Sequence, residues 1–128
     1  MIYLDTSVAL AHLLAEDRHP PESLWTQTLV SSRLLEFELW NRINARKLGA
    51  THGDAVRALL SCVAMIEMVR PVLERVLEPF HADLRTIDTI HLASVEFLRA
   101  NGQDVALASY RPKLVEAAIK LKIPIAAV

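Results

Sequence analysis

The chain has 128 residues, 52% of them hydrophobic and 23% charged, with a formal net charge of −1. That suits one domain with apolar side chains enough for a core, and it excludes a chain that grips nucleic acid through global positive charge, leaving a local patch for that purpose. A single cysteine, Cys62, excludes an intramolecular disulfide and a cysteine-built zinc site, and fits a reducing cytoplasm.

Residues 2–4 are apolar without alternation, which predicts a short central parallel strand covered on both faces. Asp5, Thr6 and Ser7 follow; all three are good helix caps and predict a turn into a helix over 8–16. Arg18-His19-Pro20-Pro21 breaks that helix. A short helix carrying Trp25 is predicted over 22–27, and a second strand over 28–31. Ser32 can cap a helix over 33–48, with Gly49 as its stop. A helix over 51–62 leads to a third strand over 65–69, and Pro71 opens a helix over 72–77. Residues 79–85 form a connection. A strong helix over 87–100 carries Ile90, Leu92, Ala93, Val95 and Leu98 on a broad apolar side and stops at Asn101-Gly102. A fourth strand over 104–108, a helix over 112–122 and a candidate last strand over 123–128 complete the chain.

Strands alternating with helices predict an α/β fold: one domain over 1–128, with a mostly parallel sheet of four or five strands and helices on both faces. No basic leader precedes the first apolar run, and no run approaches the ~20 residues of a membrane span. The expectation is a soluble cytoplasmic protein with no membrane partner.

Three acids have apolar neighbours: Asp5 at the end of the first strand, Glu38 in Phe37-Glu38-Leu39, and Asp88 in Ile87-Asp88-Thr89-Ile90. Each has a plain alternative. Asp5 can cap a helix, Asp88 can favour the positive end of a helix dipole, and Glu38 can pair with Arg42 one turn on. Taken together they point elsewhere. In open α/β sheets ligands bind outside the carboxyl ends of the strands, and one acid there with two from apolar helices can share a cleft. Converging carboxylates repel, and a hard divalent cation such as Mg²⁺ relieves that repulsion. Such a cation suits phosphodiester hydrolysis.

On Ile2-Tyr3-Leu4-Asp5-Thr6-Ser7, Ser32-Arg33-Leu34-Leu35-Glu36-Phe37-Glu38-Leu39 and Leu84-Arg85-Thr86-Ile87-Asp88-Thr89-Ile90-His91-Leu92-Ala93, the sequence resembles the PIN-domain ribonucleases, and among them the VapC-type toxins of toxin–antitoxin pairs. The resemblance spans essentially the whole chain, and the third stretch is its most specific part. It implies a three-layer α/β/α fold and Mg²⁺- or Mn²⁺-dependent endonucleolytic cleavage of RNA. It also implies a homodimer and a cognate VapB-type antitoxin that blocks the cleft. Asp5, Glu38 and Asp88 match the family's acidic metal site, with Asp5 and Asp88 expected as the direct ligands and Glu38 binding directly, through water, or acting as base. Glu36 is the near alternative to Glu38. Thr6 matches a hydroxyl position that bonds the first acid or a water beside it. One departure stands out: Arg111 occupies the place after the fourth strand where many members carry a fourth acid. That change either weakens a second metal position or lets Arg111 hold substrate phosphate.

Among other residues, Arg42 and Arg46 with Lys47 recur at helical spacing after Glu38 and suit either an RNA groove or a solvated face. Arg85 suits phosphate steering or a carbonyl cap, and Arg111, Lys113, Lys120 and Lys122 form a second basic cluster. The resemblance gives His91 a packing role ahead of zinc or acid–base work. Cys62 reads as core, and Trp25 and Trp40 as core or interface rather than base stackers. The competing function is a catalytically weakened PIN-like module that binds RNA or protein. A phosphatase-like hydrolase with Asp5 as nucleophile lacks a paired acid or phosphate loop in the sequence.

Overall fold

The computed structural model describes residues 1–128. Four short strands, β1 (Ile2–Leu4), β2 (Leu29–Ser32), β3 (Val63–Ile66) and β4 (Ala106–Ala108), form one sheet in the order β3-β2-β1-β4, and every pairing is parallel. β1 is central, which explains why it is apolar at each position: it buries both faces. Ile2 and Leu4 point to one side, against Val8, Leu35, Leu39 and Val56. Tyr3 points to the other, against Leu92, Val95, Leu107 and Leu114. Alternation along a strand therefore splits the core into two apolar layers.

The helices cover those layers. α1 (Thr6–Leu13), α2 (Leu34–Ala45) and α3 (Gly49–Ser61) pack on the Leu4 side, and α4 (Arg70–Val76), α5 (Thr86–Ala100) and α6 (Pro112–Lys120) on the Tyr3 side. The result is the three-layer α/β/α arrangement. No helix is long and apolar enough to cross a membrane.

Several boundaries differ from expectation, each for a local reason. β3 begins at Val63 and ends at Ile66, because it pairs residue for residue with the four positions of β2, from Leu29 opposite Val63 to Ser32 opposite Ile66. The tail at 123–128 forms a single bridge, Ile125 to Leu107, and no strand. Pro124 lacks the N–H needed to extend the ladder. Residues 22–26 wind as a 3-10 helix rather than an α-helix. Gly49 starts α3 instead of stopping α2, and the left-handed residue between the helices is Lys47, at φ 57°. Gly102 does stop α5, at φ 83°, with its N–H and that of Gln103 donating to the carbonyls of Arg99 and Leu98. Cys62 is exposed at the end of α3 and is not core.

Candidate active site

Asp5 leaves β1 with its N–H bonded to the Ala108 carbonyl of β4, 3.0 Å away, so the acid sits at the carboxyl end of central β1, beside the end of its neighbour β4. It is the N-cap of α1, as the plain reading expects. Its Oδ2 accepts from the Ser7 N–H at 3.3 Å, the Ser7 hydroxyl at 2.6 Å and the Ser109 hydroxyl at 2.9 Å. Oδ1 takes none of these and lies 3.9 Å from His91 Nε2. Asp5 is only 1% exposed, a burial that a cap alone does not require.

Glu38 projects from the second turn of α2 toward the same point. Its Oε1 accepts from the Thr6 hydroxyl at 2.7 Å and lies 2.6 Å from His91 Nε2. It does not pair with Arg42. Thr6 therefore bonds the second acid, Glu38, and not the first; Ser7 and Ser109 do that work for Asp5. Glu36 pairs instead with Arg33 at 3.0 Å, which removes it as the alternative.

His91 is fully buried and bonded at both ring nitrogens. Nδ1 is 2.7 Å from the Tyr3 hydroxyl, and that hydroxyl accepts from the Ser32 N–H at 3.1 Å. The phenol thus donates to Nδ1 when the imidazole is neutral, and Nε2–H donates to Glu38 in either charge state. Burial works against charging this ring. The Glu38 hydrogen bond and the charges of Asp5, Glu38 and Asp88 outweigh that effect and hold its pKa above the ordinary value. Burial in turn pushes the Tyr3 phenol well above its usual pKa, so it stays protonated. His91 packs, as expected, and also ties β1 to α2 through polar contacts.

Replacing Tyr3 with Phe tests that link. Tyr3→Phe is expected to lower stability by about 1–3 kcal/mol, because the Ser32 N–H and His91 Nδ1 lose their partner inside the core. Urea melts check it; an unchanged midpoint means that neither group depends on the phenol.

Asp88, in the first turn of α5, is 3% exposed and faces Arg111 side-on. Arg111 Nη2 donates to Oδ2 at 3.0 Å and Nε lies 2.8 Å from Oδ1. The three acids line one cleft of about 930 Å³ together with Thr6, Ser7 and Arg111. Arg42 and Arg46 stand on the Glu38 face of α2 and line it too, and Arg85 joins from the entry to α5. Lys47, beyond the end of α2, does not. Lys113 and Lys120 pair with Asp83 and Glu116 at the surface, at 3.7 and 3.6 Å, contacts of little energetic weight.

The profile of the PIN domain matches residues 2–106. The chain belongs to the PIN-domain family. Two solved structures share its fold. A toxin–antitoxin complex from Klebsiella pneumoniae is 19% identical, with 88% of each chain covered and a TM-score of 0.67. VapC20 from Mycobacterium tuberculosis, described as a sarcin–ricin loop cleaving toxin, is 20% identical, with 91% of this chain and 95% of that chain covered and a TM-score of 0.70. No curated protein sequence is a significant match.

For this PIN domain, the donor set suits a hard divalent cation. The acids supply carboxylate oxygens, and Mg²⁺ asks for one or two of these plus water. Asp5 and Glu38 each keep one oxygen outside the hydrogen bonds of the protein and meet at His91 Nε2. Asp88 is ion-paired with Arg111, which donates a hydrogen bond to its Oδ2 and stands close to Oδ1, and the three acids do not close into a ready three-ligand cage.

Sequence reasoning missed Ser109 and Arg18. Ser109 bonds Asp5 from 104 positions away, a distance over which no local pattern speaks. Arg18 lines the cleft and lies over the Tyr110 ring, 4.1 Å from its centroid; in the sequence it reads only as part of a helix break. Trp25 and Trp40 pack against the core on the α1–α3 side, with His12 against Trp25 and Arg57 over Trp40.

Proposed function

We propose that the protein is a metal-dependent endoribonuclease of the VapC type, the toxin of a toxin–antitoxin pair acting on cytoplasmic RNA. The observation that carries this reading is the convergence of Asp5, Glu38 and Asp88 in one arginine-lined cleft at the carboxyl end of β1. PIN-family membership and the toxin folds it shares support it.

Asp5, Glu38 and Asp88 would form the acidic site for Mg²⁺ or Mn²⁺, with Asp5 and Glu38 offering the oxygens the protein leaves free, Glu38 directly or through water, and Asp88 beside them paired to Arg111. The ion, when bound, polarises a phosphoryl oxygen and lowers the pKa of a water nucleophile. The chain does the rest. Ser7 and Ser109 hold Asp5 by one oxygen, and Thr6 and His91 do the same for Glu38, so each acid presents its other oxygen without rotating. Arg42 and Arg85 receive substrate phosphates at the rim where the backbone enters, and Arg111, paired with Asp88, adds its positive charge deeper in the cleft. A cognate VapB-type antitoxin and a second copy of the chain are the protein partners.

The test is cleavage of a structured RNA by purified protein, before and after chelation. EDTA is expected to lower the rate at least ~100-fold and added Mn²⁺ to restore it. Cleavage indifferent to EDTA overturns the mechanism. The side-on Arg111–Asp88 pair favours a second reading, a catalytically weakened PIN-like module that binds RNA or protein; RNA binding without cleavage in both Mg²⁺ and Mn²⁺ selects it.

A further inference from the structure

The three acids of the cleft are not equivalent. Asp5 and Glu38 are each held by one oxygen and open at the other, and both approach one nitrogen of His91. Asp88 is ion-paired: Arg111 Nη2 donates to its Oδ2 at 3.0 Å, and Arg111 Nε stands 2.8 Å from Oδ1 without a hydrogen bond to it. The other four arginines of the cleft, Arg18, Arg42, Arg46 and Arg85, are exposed and make no ion pair with these acids.

Arg111 is also fixed at its backbone. Its N–H donates to the Ser109 hydroxyl at 3.0 Å, and that hydroxyl donates to Asp5 Oδ2 at 2.9 Å. Pro112 then opens α6 and restricts the backbone on the other side of Arg111. The backbone of Arg111 is therefore part of the scaffold that also holds Asp5, and its side chain, 35% exposed, reaches back from there to Asp88.

From this geometry we infer that the cleft takes one divalent cation, at Asp5 and Glu38, and that Arg111 on Asp88 stands in place of a second. The inference rests on the metal-nuclease reading above. Charge supports it. Arg111 already neutralises Asp88, which leaves Asp5 and Glu38 as the two acids of the three without an arginine partner. A second ion would have to displace Arg111 from a nearly buried acid or add its charge beside the guanidinium. Arg111 is thus the permanent cation of the site, and the chemistry available is that of one exchangeable ion with an arginine beside it.

Calorimetric titration of Mn²⁺ into the metal-free full chain tests this. The wild type is expected to bind one ion per chain. Arg111→Gln frees Asp88 and is expected to add a second ion or to tighten the first by roughly tenfold or more. Arg111→Lys keeps the charge without the side-on fork and is expected to keep one ion, within roughly threefold of the wild-type affinity. Circular dichroism checks the fold of each. Two ions per wild-type chain overturn the inference without any variant. So does an Arg111→Gln protein with unchanged stoichiometry and affinity, and in both cases the metal-nuclease reading survives. A wild type that binds no Mn²⁺, or an Asp5→Asn protein that binds it as the wild type does, removes that reading and the inference together.

Discussion

Asp5→Asn is expected to leave the protein folded and to lower RNA cleavage by at least about 100-fold, or roughly 3 kcal/mol of transition-state stabilisation. The substitution separates two roles that coincide in one side chain. As a cap, Asp5 accepts at Oδ2 from the Ser7 backbone and from two serine hydroxyls. An asparagine carbonyl oxygen can accept the same bonds, and Asn caps helices about as well as Asp. The other oxygen is different. It takes no bond from the protein, and in the variant it becomes an uncharged amide that cannot ligate a cation. A thermal melt within about 1 kcal/mol of wild type, with cleavage lost in a single-turnover assay, is the expected pair of results. Full cleavage by the variant would return Asp5 to an ordinary cap and move the metal site elsewhere.

What the sequence reveals of this site follows a physical division. Acids with apolar neighbours stand out because burying a lone carboxylate is costly, and Asp5 and Asp88 are indeed buried. The parallel sheet is equally legible, since a strand covered on both faces must be apolar throughout. The supports of the acids are not. The Tyr3–His91 bond joins residues 88 apart, and the His91–Glu38 contact joins residues 53 apart. Tyrosine in an apolar strand and histidine in an apolar helix each look like packing until their partners are known. Arg111 is the intermediate case. Its position shows as a basic residue where an acid is expected, but only the fold reveals that it turns back onto Asp88. The boundary differences have separate causes: β3 follows its register on β2, the tail stops pairing at Pro124, and Lys47 rather than Gly49 takes the left-handed turn after α2.

His91 carries the other large effect. His91→Ala is expected to cost about 3–4 kcal/mol and to lower the melting temperature by on the order of 10 °C. The ring is fully buried, so its removal leaves a cavity between β1 and α5. The Tyr3 hydroxyl loses its acceptor, and Glu38 keeps only Thr6 as a donor. Two narrower variants divide these losses. An asparagine amide reaches the place of Nδ1, so His91→Asn is expected to retain the Tyr3 contact and release Glu38. A glutamine amide reaches the place of Nε2, so His91→Gln is expected to hold Glu38 and release Tyr3. If His91 serves to aim Glu38, the Gln variant cleaves RNA faster than the Asn variant even where it is no more stable, and the difference lies in kcat rather than KM. Equal cleavage by the two would make the histidine a packing residue alone. An Ala variant melting within about 1 kcal/mol of wild type would mean that the buried chain from Ser32 through Tyr3 and His91 to Glu38 contributes little to the fold.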